Sequence, residues 1–85
     1  MEKSLYTREQ DAFLRLLRQA REDAGLTQVG LAEALERTQS FVSKVERGET
    51  RLDIIQLRTV LSAMGVTLPA FARKLERELA GEAKS

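Results

Sequence analysis

The sequence predicts an all-α fold, a compact five-helix bundle. Apolar residues recur every three or four positions in five segments, and no stretch alternates with the two-residue period of a strand. Helix-capping residues precede these segments, and glycines follow most of them. With 85 residues, the chain has the size of one small domain, which we expect to span 1–85 with a core at about 8–80.

The first helix is predicted to run from Arg8 to Ala24. Thr7 followed by Gln10 is typical of a capping box, in which the hydroxyl accepts a backbone N–H and the amide reaches back. Gly25 supplies the left-handed residue that ends the helix. The predicted apolar face consists of Phe13, Leu17, Ala20 and Ala24.

Two short helices follow, and each begins at a threonine. Thr27 caps the second helix, Thr38 caps the third, and Gly48 ends the third. Helices of about two turns are unstable alone, so packing must hold them. Because the turn between them is tight, we expect a helix-turn-helix at about 27–47 with one protruding face, the geometry that enters a major groove ~12 Å wide. The inward residues are predicted to be Leu31, Ala32, Leu35, Val42 and Val45.

The fourth and fifth helices complete the bundle. Asp53 opens the fourth helix with Gln56 three residues on, and Gly65 closes it. Thr67 begins the fifth helix, whose apolar stripe fades at Gly81. The predicted apolar face of the fourth helix is Ile54, Leu57, Val60, Leu61 and Met64, and that of the fifth is Leu68, Phe71, Leu75 and Leu79.

The composition argues against an enzyme. The chain has no cysteine and no histidine, which excludes disulfides, thiolate metal sites and the commonest general base at neutral pH. We therefore expect no metal, no cofactor and no small-molecule ligand. No apolar run approaches the ~20 residues that span a bilayer, which favours a soluble intracellular binding protein.

Basic charge is concentrated around the third helix. The net charge is only +1, but residues 37–51 carry four basic side chains against two acidic ones. The basic residues are Arg37, Lys44, Arg47 and Arg51. Such a cluster hints at an anionic partner.

Two segments carry a specific resemblance. TQVGLA at 27–32 and QSFVSKVERG at 39–48 resemble the helix-turn-helix of the phage repressor/Cro-like (XRE) DNA-binding family, and the similarity covers roughly 13–71. The resemblance implies a repressor-like domain of five helices that binds operator DNA as a homodimer and mostly represses transcription. It also implies a prokaryotic or phage protein that is cytoplasmic and nucleoid-associated when bound to DNA.

The resemblance assigns the DNA contacts to outward-pointing polar side chains. Gln39 can pair its amide with adenine N6 and N7, and Lys44 can donate to guanine or to a phosphate. The expected base-reading residues are Gln39, Ser40, Ser43 and Lys44. The residues expected to contact the DNA backbone are Gln28, Arg37, Arg47 and Arg51.

The family pattern also implies an ion pair. An arginine near the end of the first helix pairs in the family with the glutamate that ends the third helix, and Arg21 and Glu46 have the matching spacing. If the pair is partly buried, removal of one partner would cost about 3–5 kcal/mol.

Two positions depart from the family pattern. Glu36 occupies a turn position often held by glycine, where a left-handed backbone would cost about 1–2 kcal/mol. Gly30 stands where a helix former is common, which weakens the second helix by about 1 kcal/mol. Neither position lies on the expected DNA-reading face.

Three apolar side chains remain to be placed, and an alternative stays open at Phe41. Phe41 either packs on the core, which we favour, or contacts a thymine methyl or sugar. Leu75 and Leu79 lie past the family's compact core, so we expect them in a two-fold dimer interface.

The predicted function is sequence-specific binding of double-stranded DNA by a transcriptional regulator, a repressor that acts as a homodimer on a near-palindromic operator. The alternative is an antitoxin or controller-type module whose main role is to bind a toxin-like partner protein and to autoregulate its operon. RNA binding is disfavoured because the polar face has no stacking aromatics.

Overall fold

The computed structural model describes residues 7–84, which form five helices and no strand. The helices are α1 (Arg8–Asp23), α2 (Gln28–Leu35), α3 (Gln39–Glu46), α4 (Ile54–Ala63) and α5 (Leu68–Lys84). The predicted all-α fold is confirmed, although α5 continues past Gly81, where we expected its stripe to fade. Residues 1–6 and 85 of the predicted domain lie outside the described range.

Within 7–84, no single helix is long and apolar enough to cross a membrane. The helices α4 and α5 have that length and composition only when taken together, and they are bent by 103° relative to each other.

The first four helices begin at side chains that accept a backbone hydrogen bond from three residues ahead. The hydroxyls of Thr7, Thr27 and Thr38 accept these bonds at 3.0–3.1 Å. At α4 the bonds are reciprocal, because the Gln56 N–H donates to the Asp53 carboxylate at 2.7 Å and the Asp53 N–H donates to Gln56 Oε1 at 2.9 Å. Each cap contributes about 1 kcal/mol, so these four residues fix where the helices start.

The same four helices end in one kind of backbone turn. A residue with positive φ follows the helix, and the next N–H returns to the carbonyl five residues earlier at 2.8–3.1 Å. Gly25, Gly48 and Gly65 hold this position with φ of 76–79°, whereas α2 uses Glu36 with φ 58° and ψ 42°. The left-handed backbone of the family's turn, which we considered only as a condition at Glu36, is present there in a residue with a Cβ.

The core is formed by apolar residues from all five helices and their ends. Phe13 of α1 meets Phe71 of α5 edge to face, with ring centroids 5.9 Å apart and planes at 89°, a favourable aromatic geometry. The buried apolar residues are Ala12, Leu16, Leu17, Leu31, Ala32, Val42, Val45, Val60, Leu61, Met64 and Phe71.

Two predicted core positions are wrong. Ile54 is 64% exposed, because the first three residues of α4 lie outside the packed region, which begins at Leu57. Its neighbour Ile55 is exposed for the same reason. Ala24 is also exposed, since α1 ends at Asp23 and the chain turns away there.

Candidate nucleic-acid interface

The packing of α2 against α3 decides which face of α3 reaches solvent. Ala32 of α2 is buried, and so are Val42 and Val45 of α3. Because the valines hold one side of α3 inward, the opposite side is polar and open. The exposed residues on it are Gln39, Ser40 and Lys44, followed by Arg47 at the helix end, and Ser43 is half-buried among them.

A buried ion pair fixes the end of α3 to the end of α1. Arg21 Nε donates to Glu46 Oε2 at 2.7 Å, and Arg21 Nη2 donates to Glu46 Oε1 at 3.2 Å. The third guanidinium nitrogen, Nη1, donates to the carbonyl oxygen of Leu26 at 2.9 Å. The hydrogen bond to Glu46 raises the pKa of Arg21, and Glu46 itself is only 5% exposed. The structure thus brings together the two residues that the family pattern paired.

The ion pair continues into the polar face through two glutamines. Gln28 Nε2 donates to Glu46 Oε1 at 3.0 Å, and Gln39 Nε2 donates to Gln28 Oε1 at 3.2 Å. Both glutamines were predicted to lie near DNA, but their hydrogen bond to each other and the bond from Gln28 to Glu46 were not predicted. The available signal was that a glutamine begins both α2 and α3, close to the carboxylate of Glu46. The amide of Gln39 is therefore oriented by a chain of bonds that begins in the core.

Arg47 is engaged with its neighbours along the chain. Its Nε donates to Glu49 Oε2 at 2.9 Å, its Nη2 donates to Glu49 Oε1 at 3.2 Å, and its Nη1 donates to Ser43 Oγ. The mutual hydrogen bonds raise the pKa of Arg47 and lower the pKa of Glu49. The role of Glu49 was not predicted, although its position two residues after an arginine and one after a helix-ending glycine was a usable signal.

The remaining basic residues border the same face. Arg37 lies with its guanidinium carbon 3.8 Å from the centre of the Phe41 ring, in a cation–π arrangement. Phe41 is half-buried and packs against the core, in agreement with the packing that we favoured. Arg51 is exposed just after the α3 turn.

The two leucines expected at a dimer interface lie away from α3, on α5. Leu75 packs partly against the core of its own chain, and both Leu75 and Leu79 are half-buried. Each therefore keeps only part of its surface open.

In the described part of the chain, no group of three carboxylate, histidine or cysteine side chains could hold a metal ion.

Comparison with protein families gives one clear match. The sequence fits the model of the helix-turn-helix domain over residues 12–73, which is most of the chain and includes α2 and α3. A comparison with curated proteins finds no match.

Solved structures are similar to this chain in fold and in sequence. The XRE-family like protein from Pseudomonas syringae pv. tomato str. DC3000 is 42% identical, with a TM-score of 0.80 and coverage of 89% of this chain and 93% of that chain. Two structures of the clp gene regulator ClgR from Corynebacterium glutamicum are 27% and 28% identical, with TM-scores of 0.72 and 0.66. These alignments cover 82% and 91% of this chain, and 90% and 86% of the ClgR chains. With a matching family model and this level of identity, the chain belongs to the XRE-type helix-turn-helix family of DNA-binding transcription regulators.

Proposed function

We propose that this protein is a sequence-specific repressor that binds a near-palindromic operator as a homodimer, with α3 in the major groove. The observation that carries the proposal is the exposed polar face of α3, held outward by Val42 and Val45. A helix with one buried apolar side and one open polar side fits a major groove ~12 Å wide. The name of ClgR as a gene regulator supports a role in gene regulation.

Gln39 is the proposed reader of adenine. It donates one N–H to Gln28 at 3.2 Å, which leaves its second N–H and its Oε1 available for DNA. Adenine presents an acceptor at N7 and a donor at N6 in the major groove, so the free donor and acceptor of Gln39 match it. Ser40, Ser43 and Lys44 supply the further base contacts, and Lys44 donates to guanine or to a phosphate.

The proposed backbone contacts surround this face. Gln28 lies in the first turn of α2, where unbonded backbone N–H groups favour a phosphate oxygen. Arg37, Arg47 and Arg51 are exposed at the two ends of α3 and can neutralise phosphates. These contacts position the protein on the duplex without reading its sequence.

Dimerisation is proposed because the polar face of α3 is small. One copy offers only a few base-reading side chains, which is too little discrimination for an operator. We propose that Leu75 and Leu79 contribute their open surface to a two-fold interface. The two copies of α3 would then meet half-sites about 34–36 Å apart, one helical turn of DNA.

The test begins with selection of bound sequences from a random duplex pool. We expect an enriched site with two-fold symmetry. Gln39→Ala should lower affinity for that site by about 1–3 kcal/mol and relax the preference at one base position per half-site. Gln19→Ala is the matched control, because Gln19 is an exposed amide on α1, outside the helix-turn-helix. No enriched sequence, or unchanged base preferences in Gln39→Ala, would contradict the proposal.

A further inference from the structure

The turn after α3 places a carboxylate beside the DNA-facing arginine. Gly48 has φ 79°, and this left-handed residue folds the chain back so that the Glu49 N–H donates to the Lys44 carbonyl at 2.8 Å. With its backbone fixed there, Glu49 directs its carboxylate to Arg47. The pairing therefore follows from the helix termination itself.

The contact occupies the edge of Arg47 that suits an anion best. Nε and Nη2 form the fork of a guanidinium, and both donate to Glu49 at 2.9 and 3.2 Å. A phosphate would bind this same fork with two parallel bonds. The remaining nitrogen, Nη1, donates to Ser43 Oγ. Because both residues are about half exposed, the pair is open to exchange with an incoming anion.

We propose that Glu49 competes within the protein for the phosphate site of Arg47, so that DNA must displace its carboxylate before Arg47 can bind the backbone. This inference rests on the proposed function. The displacement is the same for every duplex, so Glu49 lowers affinity for all DNA alike and reads no base. Since the hydrogen bonds from Arg47 lower the pKa of Glu49, the carboxylate is ionised at neutral pH and the competition is always present.

The consequence for function is weak binding to arbitrary DNA. Phosphate contacts supply most of the affinity for non-specific duplex. Suppression of one of them therefore lowers the affinity for arbitrary duplex, and it lowers the affinity for the operator by the same factor, so the ratio of the two affinities does not change. Glu49 thus lowers the affinity of the protein for any duplex, although it does not itself contact DNA.

The test is a double-mutant cycle on DNA affinity. Glu49→Gln removes the charge and keeps the size of the side chain, and we expect it to raise affinity for the selected operator and for a random duplex by the same factor, about 2–5-fold. In an Arg47→Gln background, Glu49→Gln should change affinity by less than about 1.5-fold, because the competition needs Arg47. Glu33→Gln, at an exposed carboxylate on α2, controls for the loss of one negative charge.

The outcomes separate this inference from the proposed function. A gain that persists in the Arg47→Gln background would mean general repulsion between Glu49 and DNA, and would overturn the inference. The absence of any gain in Glu49→Gln, while the unmodified protein binds its operator, would also overturn it and leave the proposed function standing. If the unmodified protein binds no duplex at all, both fail. Circular dichroism of each variant should show unchanged helix content, since the pair is on the surface.

Discussion

Replacement of Glu36 by glycine tests the strain in the turn between α2 and α3. Glu36 adopts φ 58° and ψ 42°, which costs a residue with a Cβ about 1–2 kcal/mol relative to glycine. Glycine relieves this cost but gains freedom in the unfolded chain worth about 0.4–1 kcal/mol, so we expect the free energy of unfolding to rise by about 0.5–1 kcal/mol. In a domain of this size, the rise in Tm is about 2–8 °C.

The backbone is the main cause of the expected gain in stability of Glu36→Gly, because the side chain of Glu36 makes little contact with the rest of the protein. Glu36 is exposed, and its backbone N–H donates to the Glu33 carbonyl at 3.1 Å, a bond that glycine keeps. Urea unfolding followed by circular dichroism measures the difference, with equal slopes for all variants.

Two controls isolate the left-handed backbone. Glu36→Ala keeps a Cβ at the strained position, so its stability should stay within about 0.5 kcal/mol of the unmodified protein. Gly25→Ala introduces a Cβ at φ 76° with no atom within 4 Å of it, so it should lose about 1 kcal/mol through the backbone alone. A Glu36→Gly protein no more stable than Glu36→Ala would refute the reasoning.

Three further predictions concern the ion pair, the second helix and the DNA backbone. Arg21→Ala removes both guanidinium bonds to the buried Glu46 carboxylate and leaves it only the Gln28 amide at 3.0 Å and the more distant Arg18 at 3.9 Å, so the free energy of unfolding in urea should fall by about 3 kcal/mol, the low end of the range for breaking a buried pair, and a fall below about 1 kcal/mol would contradict the role of the pair. Gly30→Ala places a Cβ 3.4 Å from the capping hydroxyl, an ordinary contact, so unfolding should cost about 0.5–1 kcal/mol more, whereas a decrease would mean that the cap is disturbed. Arg51→Ala should weaken binding to all duplexes alike and reduce the slope of log affinity against log salt by about one in gel-shift titrations, whereas Arg73→Ala on α5 should leave the slope unchanged.

Local rules explain why much of the fold was predictable. A cap needs only a short polar side chain and the N–H three residues ahead, so Thr27, Thr38 and Asp53 could be identified without knowledge of the tertiary structure. Val42 and Val45 followed from helical periodicity in the same way. The left-handed backbone of Glu36 could be stated only as a condition, namely that the family's turn is kept, because a residue with a Cβ disfavours that conformation.

Contacts between elements were harder to predict. Periodicity identifies which face of α4 is apolar, but it does not say how far along the axis the packing extends, so Ile54 was placed in the core and is exposed. The bond from Gln39 to Gln28 depends on how closely the starts of α2 and α3 approach. The Arg47–Glu49 pair depends on the direction in which a single glycine turns the chain. None of these distances is set by sequence spacing.

The carboxylate of Glu46 joins three elements at one point, because it accepts bonds from Arg21 at the end of α1 and from Gln28 at the start of α2 while it belongs to α3. If α3 were misaligned, this charge would stay buried without its partners, and the cost of that would strongly destabilise the fold. The population able to engage DNA should consequently equal the population that is folded. Stoichiometric titration with operator DNA measures the concentration of protein that can bind, and an equilibrium unfolding curve measures the concentration that is folded. The two concentrations should be equal at each temperature.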